Sequence, residues 1–281
     1  MASVMNSSHI RIRLQKNLKF FFFFSALPPP SLFPSKLLSI PTTKPSNLAH
    51  FVAQNDIVTP VQTPHTNSSA KHNESPFQGL ECVMAGYMFG KKKATQVAQA
   101  VWKNVVRKGD TVIDATCGNG YDTLAMLRLI ADDTRRGRVY AMDLQKDAIE
   151  STSSLLERSV SADERELVEL YSMCHTKMEE LIPHGDVVRL VAFNLGYLPG
   201  GDKKIQTESE TTLLALQAAE RIVGRGGLIS IVAYVGHSGG REEFEIVQSF
   251  AAGLAVDSWV CCKLQMLNRP FAPVLVLLYK K

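Results

Sequence analysis

Between Met1 and Asn55 the chain has no aspartate and no glutamate. Its charged residues there are Arg11, Arg13, Lys16, Lys19, Lys36 and Lys44, set among frequent Ser, Thr and Pro. A basic, acid-free, hydroxyl-rich leader has the composition of an organelle transit peptide. The Met-Ala-Ser start and the few arginines favour plastid over mitochondrion. A long apolar run is lacking as well. The Phe20–Phe24 run ends by Pro28, short of the about 20 apolar residues that a membrane span needs. A basic stretch ahead of a short apolar core is also the plan of a secretory signal. Against that, the acid-free segment continues well past the apolar core.

Cysteine is sparse. Cys82, Cys117, Cys174, Cys261 and Cys262 form no Cys-x-x-Cys pair and no His/Cys spacing suited to zinc. They are expected to be reduced thiols, with no structural metal. Excess positive charge is lacking too. The net charge is +4, and the six leader bases more than account for it, so the rest of the chain is slightly acidic. Bulk charge therefore does not draw this protein to nucleic acid. Any such contact needs a local patch, and the candidates are Lys91–Lys93, Arg135 with Arg136 and Arg138, Lys203 with Lys204, and Lys263 with Arg269.

What is present is an alternation. Residues 56–81 are polar and are expected to form a disordered linker, and from residue 82 strand-like and helix-like runs take turns. Strands are expected at 111–116, 138–143, 167–172, 187–194, 227–234, within 255–267 and at 273–279. Helices are expected at 94–106, 121–131, 146–159, from a Thr207–Glu210 capping box to 223, and at 242–254. Alternating strand and helix predicts a mostly parallel sheet covered on both faces. The last two strands are joined by Leu-Asn-Arg-Pro-Phe-Ala, too short for a crossover helix, so they are antiparallel neighbours. The expected fold is α/β and Rossmann-like: a mostly parallel seven-stranded sheet with one antiparallel strand, in the manner of class I methyltransferases.

The first strand runs into DATCGNGYDT, residues 114–123. Gly118 and Gly120 sit where strand turns to helix, so a ligand can approach the backbone closely. A dinucleotide site would place a third glycine at Thr123. Here the loop is acidic instead, with Asp114 and Asp122 beside it. Carboxylates repel a diphosphate but suit a ligand that carries an ammonium and a sulfonium, as S-adenosylmethionine does. Asp143 ends the second strand, where a carboxylate accepts hydrogen bonds from a ribose diol, and Gln145 extends along the same edge. His175 follows the third strand, near the expected adenine.

The fourth strand ends in FNLGYLPGGDK, residues 193–203. Asn194 falls at the switch-point crevice beside the first strand. Amino-group methyltransferases place Asn/Asp-Pro-Pro-Tyr/Phe there, with the side-chain oxygen holding the target N–H and the ring stacking on the base. Asn194 and Tyr197 have that chemistry at that spacing. Gly200 and Gly201 would allow backbone approach, and Lys203 would reach a phosphate.

DATCGNGYDT, YAMDLQ and FNLGYLPGGDK together resemble a small bacterial family first labelled rRNA methylases. Its members act as tRNA wobble-uridine methyltransferases that convert 5-aminomethyl-2-thiouridine to 5-methylaminomethyl-2-thiouridine. The resemblance covers about residues 84–281, and with it the body from 82 reads as a methyltransferase domain. It implies that Asn119, Asp122, Asp143, Gln145 and His175 contact the cofactor, and that Asn194 and Tyr197 hold the wobble base of a tRNA anticodon loop. Two departures stand out. Tyr121 replaces a usual His, and Tyr234-Val235-Gly236-His237 replaces Tyr-His-Gly-His. His237 remains, and is expected to face the substrate. Three alternatives stay open: a small-molecule or rRNA amine methyltransferase of the same fold, an inactive RNA-binding relative, and an NAD enzyme, which Thr123 disfavours.

Overall fold

The structure, a computed structural model, describes residues 79–281. The leader and most of the linker expected from the sequence lie outside the described residues. Helix α1 already spans Leu80–Met88, so the helical body begins two residues before the expected boundary.

Seven strands follow: β1 (Thr111–Asp114), β2 (Arg138–Asp143), β3 (Val168–Ser172), β4 (Val188–Leu195), β5 (Val223–Ala233), β6 (Trp259–Leu264) and β7 (Val274–Lys280). They form one sheet in the order β3-β2-β1-β4-β5-β7-β6. β1 to β5 pair in parallel, while β7 pairs antiparallel with both β5 and β6. The strand order reverses direction between β1 and β4, so a crevice opens at their carboxyl ends. The expected sheet, with its single reversed strand, is the observed one.

The helices are α2 (Ala94–Val105), α3 (Tyr121–Ile130), α4 (Lys146–Ser159), α5 (Ala162–Arg165), α6 (Ser209–Ile222) and α7 (Gly240–Gly253), with a 3-10 helix over His175–Leu181. They cover both faces of the sheet. Side chains of a strand alternate between faces, and β4 shows the consequence. Val191, Phe193 and Leu195 join the core that includes α6 and α7. Leu190 and Ala192 join the core that includes α2 and α3. By the same alternation Asn194 stands on the α2/α3 face, as does Asp114 on β1, next to Val112. Phe193 is 1% exposed, and truncating such an aromatic typically costs about 3–5 kcal/mol.

One local expectation is overturned. α6 starts at Ser209 after Glu208, and no side chain caps it. The Thr207 hydroxyl instead donates to Glu243 Oε2 at 2.9 Å, and Thr212 donates to Glu243 Oε1 at 2.6 Å. Glu243 lies on α7 and is 2% exposed. The helix starts one residue later than a Thr207 cap requires, and the Thr207 hydroxyl serves as a donor to the buried carboxylate, a charge-assisted bond, not as the acceptor that a capping box needs. Burial raises its carboxyl, and the two hydroxyls pull it partly back.

Candidate functional site

The glycine loop after β1 is held from below by acids. Asp114 is fully buried. Its Oδ2 accepts from the Thr123 hydroxyl at 2.6 Å, and its Oδ1 from the Thr116 N–H at 3.4 Å. Burial, then the charge of Asp122, pushes its carboxyl up to about 7. Thr123, which occupies the place of a third glycine, is thus the donor that steadies this carboxyl. Asp143 takes the loop from the other side: Oδ2 accepts from the Gly118 N–H at 3.1 Å and Oδ1 from the Gln145 N–H at 2.9 Å. Burial raises Asp143 too, against those backbone donors.

A first cavity of about 360 Å³ lies over the carboxyl ends of β1, β2 and β3, with Gly118, Asp143, Gln145 and His175 on its walls. His175 is buried, its ring set edge-on to Phe193 at 5.9 Å. Burial lowers it to about 4, so it is a neutral ring at physiological pH. Leu144, 63% exposed, and Met173 give the cavity an apolar side. The sequence offered no signal for these two beyond their positions after strand ends.

A second cavity of about 700 Å³ opens beside it, bounded by Gln99, Tyr121, Asp122, Tyr234, His237 and Phe271. Thr116, Gly118, Asn194, Gly196, Tyr197 and Pro199 border both spaces and form their common wall. The two loop glycines therefore have different jobs. Gly118 faces both cavities, whereas Gly120, at φ 83°, borders neither; a Cβ there would stand 2.9 Å from the Thr152 Cα on α4. Gly120 is a packing glycine, and Thr152 in turn donates to the Gly118 carbonyl at 3.0 Å.

Asn194 is the polar centre of the common wall. Its N–H donates to the Thr116 hydroxyl at 2.7 Å. Its Nδ2 donates to Asp122 Oδ2 at 2.7 Å, and Gln99 Nε2 on α2 donates to Asp122 Oδ1 at 2.5 Å. An ionised carboxylate only accepts, so the amide of Asn194 has one orientation. Its Oδ1 is then left buried and without a partner. Such an acceptor is costly to leave unmade, which marks it as a place for an N–H donor. Nothing in the sequence around Gln99 signals this role. Asp122, expected at the cofactor, borders the second cavity and holds Asn194.

The loop after Asn194 is closed on itself. Tyr197 and Gln206 form an antiparallel bridge, and the Thr207 N–H donates to the Gly196 carbonyl at 2.9 Å. The Tyr197 ring meets the His237 ring edge-on at 5.9 Å. His237 Nδ1 lies 2.9 Å from the Ser238 carbonyl and donates to it; Nε2 is left buried without a partner. Asn119 donates to the Pro199 carbonyl at 3.1 Å and ties the loop to the glycine turn from the second cavity's side. Gly200 and Gly201 form the exposed tip and border neither cavity; Gly200 adopts φ 89°, which the turn requires of it. Lys203 stands over the outer face of Tyr197, its Nζ 5.6 Å from the ring centre, and Lys204 rather than Lys203 borders the first cavity. Among the described residues no cluster of three or more His, Cys, Asp or Glu could hold a metal. Among them, too, no helix is long and apolar enough to cross a membrane.

The arrangement joins a nucleoside-sized pocket with an acidic glycine loop to a wider, aromatic space through one unpaired amide oxygen. Comparison with known proteins gives the family. A curated chloroplastic tRNA (mnm(5)s(2)U34)-methyltransferase of Arabidopsis thaliana is 61% identical over 218 residues, covering 76% of this chain and 80% of that protein. A crystal structure from Clostridium thermocellum, described as a putative rRNA-methylase, superposes with a TM-score of 0.63 at 36% identity, covering 68% of this chain and 98% of that one. A Streptococcus mutans protein, described as a putative methyltransferase in complex with SAH, gives 0.59 at 29% identity, covering 68% of this chain and 99% of that one. The family model described as "Putative rRNA methylase" matches residues 139–280. With that match and a relative so similar across most of its length, this chain belongs to the rRNA methylase family.

Proposed function

We propose that this protein is an S-adenosylmethionine-dependent tRNA methyltransferase of the chloroplast stroma. It converts 5-aminomethyl-2-thiouridine to 5-methylaminomethyl-2-thiouridine at wobble position 34. The observation that carries this reading is the unpaired, buried Asn194 Oδ1 in the wall between the two cavities. The relative's name supports the substrate, and the acid-free basic leader supports the compartment.

The residues fit the cofactor. Asp143 keeps acceptor capacity beside the N–H groups it already holds, which suits a ribose diol. Gly118 presents backbone without a side chain, and Leu144 and Met173 offer an apolar face to a purine. The buried acid cluster favours a cation in the adjoining cavity. When bound, S-adenosylmethionine supplies an electrophilic methyl group on its sulfonium.

Everything else falls to this chain's own side chains. The target amine enters from the second cavity as the free base. Asn194 Oδ1 accepts one of its N–H bonds and so aims the nitrogen lone pair at the common wall, where attack needs reacting atoms within about 3–3.5 Å. Asp122 and Gln99 keep that oxygen in place. Tyr197 provides a ring for the uracil face, as unstacked RNA bases require, and Lys203 and His237 brace the ring. His175, neutral and buried, contributes shape and no charge.

Nucleoside mass spectrometry on chloroplast tRNA from a plant line lacking the protein tests this. Loss of 5-methylaminomethyl-2-thiouridine with accumulation of the aminomethyl precursor is expected. An unchanged profile would hand the site to a small-molecule amine, which the slightly acidic body would also accommodate.

A further inference from the structure

The rim of the second cavity carries a feature that the chemistry of methyl transfer does not use. Two segments distant in sequence meet there: residues 89–93, between α1 and α2, and residues 265–273, between β6 and β7. They touch where the Arg269 guanidinium covers Gly90; a Cβ on Gly90 would lie 3.1 Å from Arg269 Nη2. Lys93 and Phe271, one from each segment, border the second cavity. Phe89 is 75% exposed and Phe271 is 74% exposed. Lys91 is exposed as well, and none of Lys91, Lys93 and Arg269 makes an ion pair with any described residue. Solvent-facing phenylalanines interleaved with such cations stand out on a body whose overall charge is slightly negative.

From this juxtaposition we infer that the double rim is the RNA-docking surface: Lys91, Lys93 and Arg269 contact phosphates on either side of the target nucleotide, and Phe89 and Phe271 stack on the bases flanking it. This rests on the functional reading above and specifies where its substrate sits. Single-stranded RNA is held by this pairing of side chains, cations tracking the backbone and aromatic faces taking splayed bases. Charge decides against a second copy of this chain as the occupant, since two such rims would bring like charges together. It also explains how a slightly acidic protein binds a polyanion: the cations are concentrated at the entrance, where the wobble base must turn inward.

The test uses the protein with its leader removed, and a synthetic anticodon stem-loop that carries 5-aminomethyl-2-thiouridine. Affinity is followed across a salt series, and binding of S-adenosylhomocysteine is measured alongside as a check on folding. For the Lys91→Glu/Arg269→Glu double variant, weaker RNA binding is expected. The slope of log affinity against log salt should shrink by about 0.7 for each phosphate that is no longer neutralised. Phe89→Ala/Phe271→Ala should weaken binding between about fivefold and about a hundredfold per base unstacked, with the salt slope kept. Both should bind S-adenosylhomocysteine as the parent does. If the parent binds the stem-loop and both variants bind it equally well with the same slope, the rim is not the docking surface, while the functional reading stands. If the variants change only the sedimentation of the protein, the face is an interface between copies and the inference fails. If the parent itself does not bind the stem-loop, the functional reading falls and the inference falls with it.

Discussion

Asn194 and Asp122 meet across 2.7 Å, and that one bond fixes which end of the asparagine amide faces the reaction space. Asp122 lies in the first turn of α3 and Asn194 at the end of β4, so the bond also ties the glycine-loop helix to the switch-point strand. If the bond orients Asn194, Asp122→Ala should lower kcat by on the order of 10²-fold, the usual consequence of a small misplacement of a positioning group, and weaken S-adenosylmethionine binding far less. Asn194→Ala should lower kcat at least as far. The double variant should be no worse than Asn194→Ala alone, because the two act as one unit. Steady-state kinetics on the modified stem-loop checks this; additive losses would separate the two residues.

Tyr197 is expected to act through its ring and not its hydroxyl. Tyr197→Phe should keep nearly full activity. Tyr197→Ala should raise KM for tRNA by a factor that corresponds to about 1–3 kcal/mol of stacking. A Phe variant as damaged as the Ala variant would assign the role to the hydroxyl instead.

Two buried titrating groups give opposite pH dependences of stability. His175 titrates near 4 in the folded protein, against an ordinary value of 6.5. The unfolded chain therefore binds the extra proton, and the contribution of His175 is lost as pH falls from about 6.5 toward 4. Asp114 titrates near 7, against an ordinary 3.8. Here the folded state holds the extra proton, so stability is greatest at the acid end and is lost as pH rises toward and through about 7. The two slopes oppose each other between about pH 4 and 6.5. Asp114→Asn removes one of them, so its urea midpoint should climb more steeply with pH over that range than the parent's. Parallel profiles would show that Asp114 does not titrate there.

Gly120→Ala should destabilise the protein without touching either cavity. It places a side chain at φ 83° and 2.9 Å from the Thr152 Cα. The left-handed backbone alone costs about 1–2 kcal/mol, and overpacking adds about 1–3 kcal/mol. A fall in Tm of roughly 5 °C or more is expected for a body of this size. Thermal melts followed by circular dichroism measure it, and an unchanged Tm would show that α4 gives way freely.

Much of the sheet was legible in the sequence because its central strands β1, β4 and β5 are buried on both faces. TVID and VRLVAFN stand out as continuous apolar, β-branched runs whatever packs against them. Asn194 was legible for the same reason, as the first polar side chain at the end of such a run. The line Gln99–Asp122–Asn194 was not, because it joins residues 23 and 72 positions apart through side-chain bonds that only the tertiary fold creates. The Thr207 capping box is a rule of local sequence; the helix instead starts at Ser209, and Thr207 donates to Glu243, a carboxylate 36 residues away that had to be satisfied inside the core. Lys203 and Lys204 are equivalent on paper; the turn at Gly200 and Gly201 decides which one faces the cavity. Helix α1 was not legible because LECVMAGYM is apolar on several sides and follows a polar segment. Its Tyr87 reaches across to the Leu264 carbonyl at 3.4 Å, a partner with no trace in the neighbouring sequence.

The most direct test of the central claim is methyl transfer by the purified protein. It is incubated with S-adenosylmethionine and a tRNA that carries 5-aminomethyl-2-thiouridine at position 34, and the nucleosides are then resolved by mass spectrometry. Stoichiometric conversion to 5-methylaminomethyl-2-thiouridine is expected, together with its loss in Asn194→Ala. A protein that binds S-adenosylmethionine and this tRNA yet leaves the nucleoside unmethylated would contradict it.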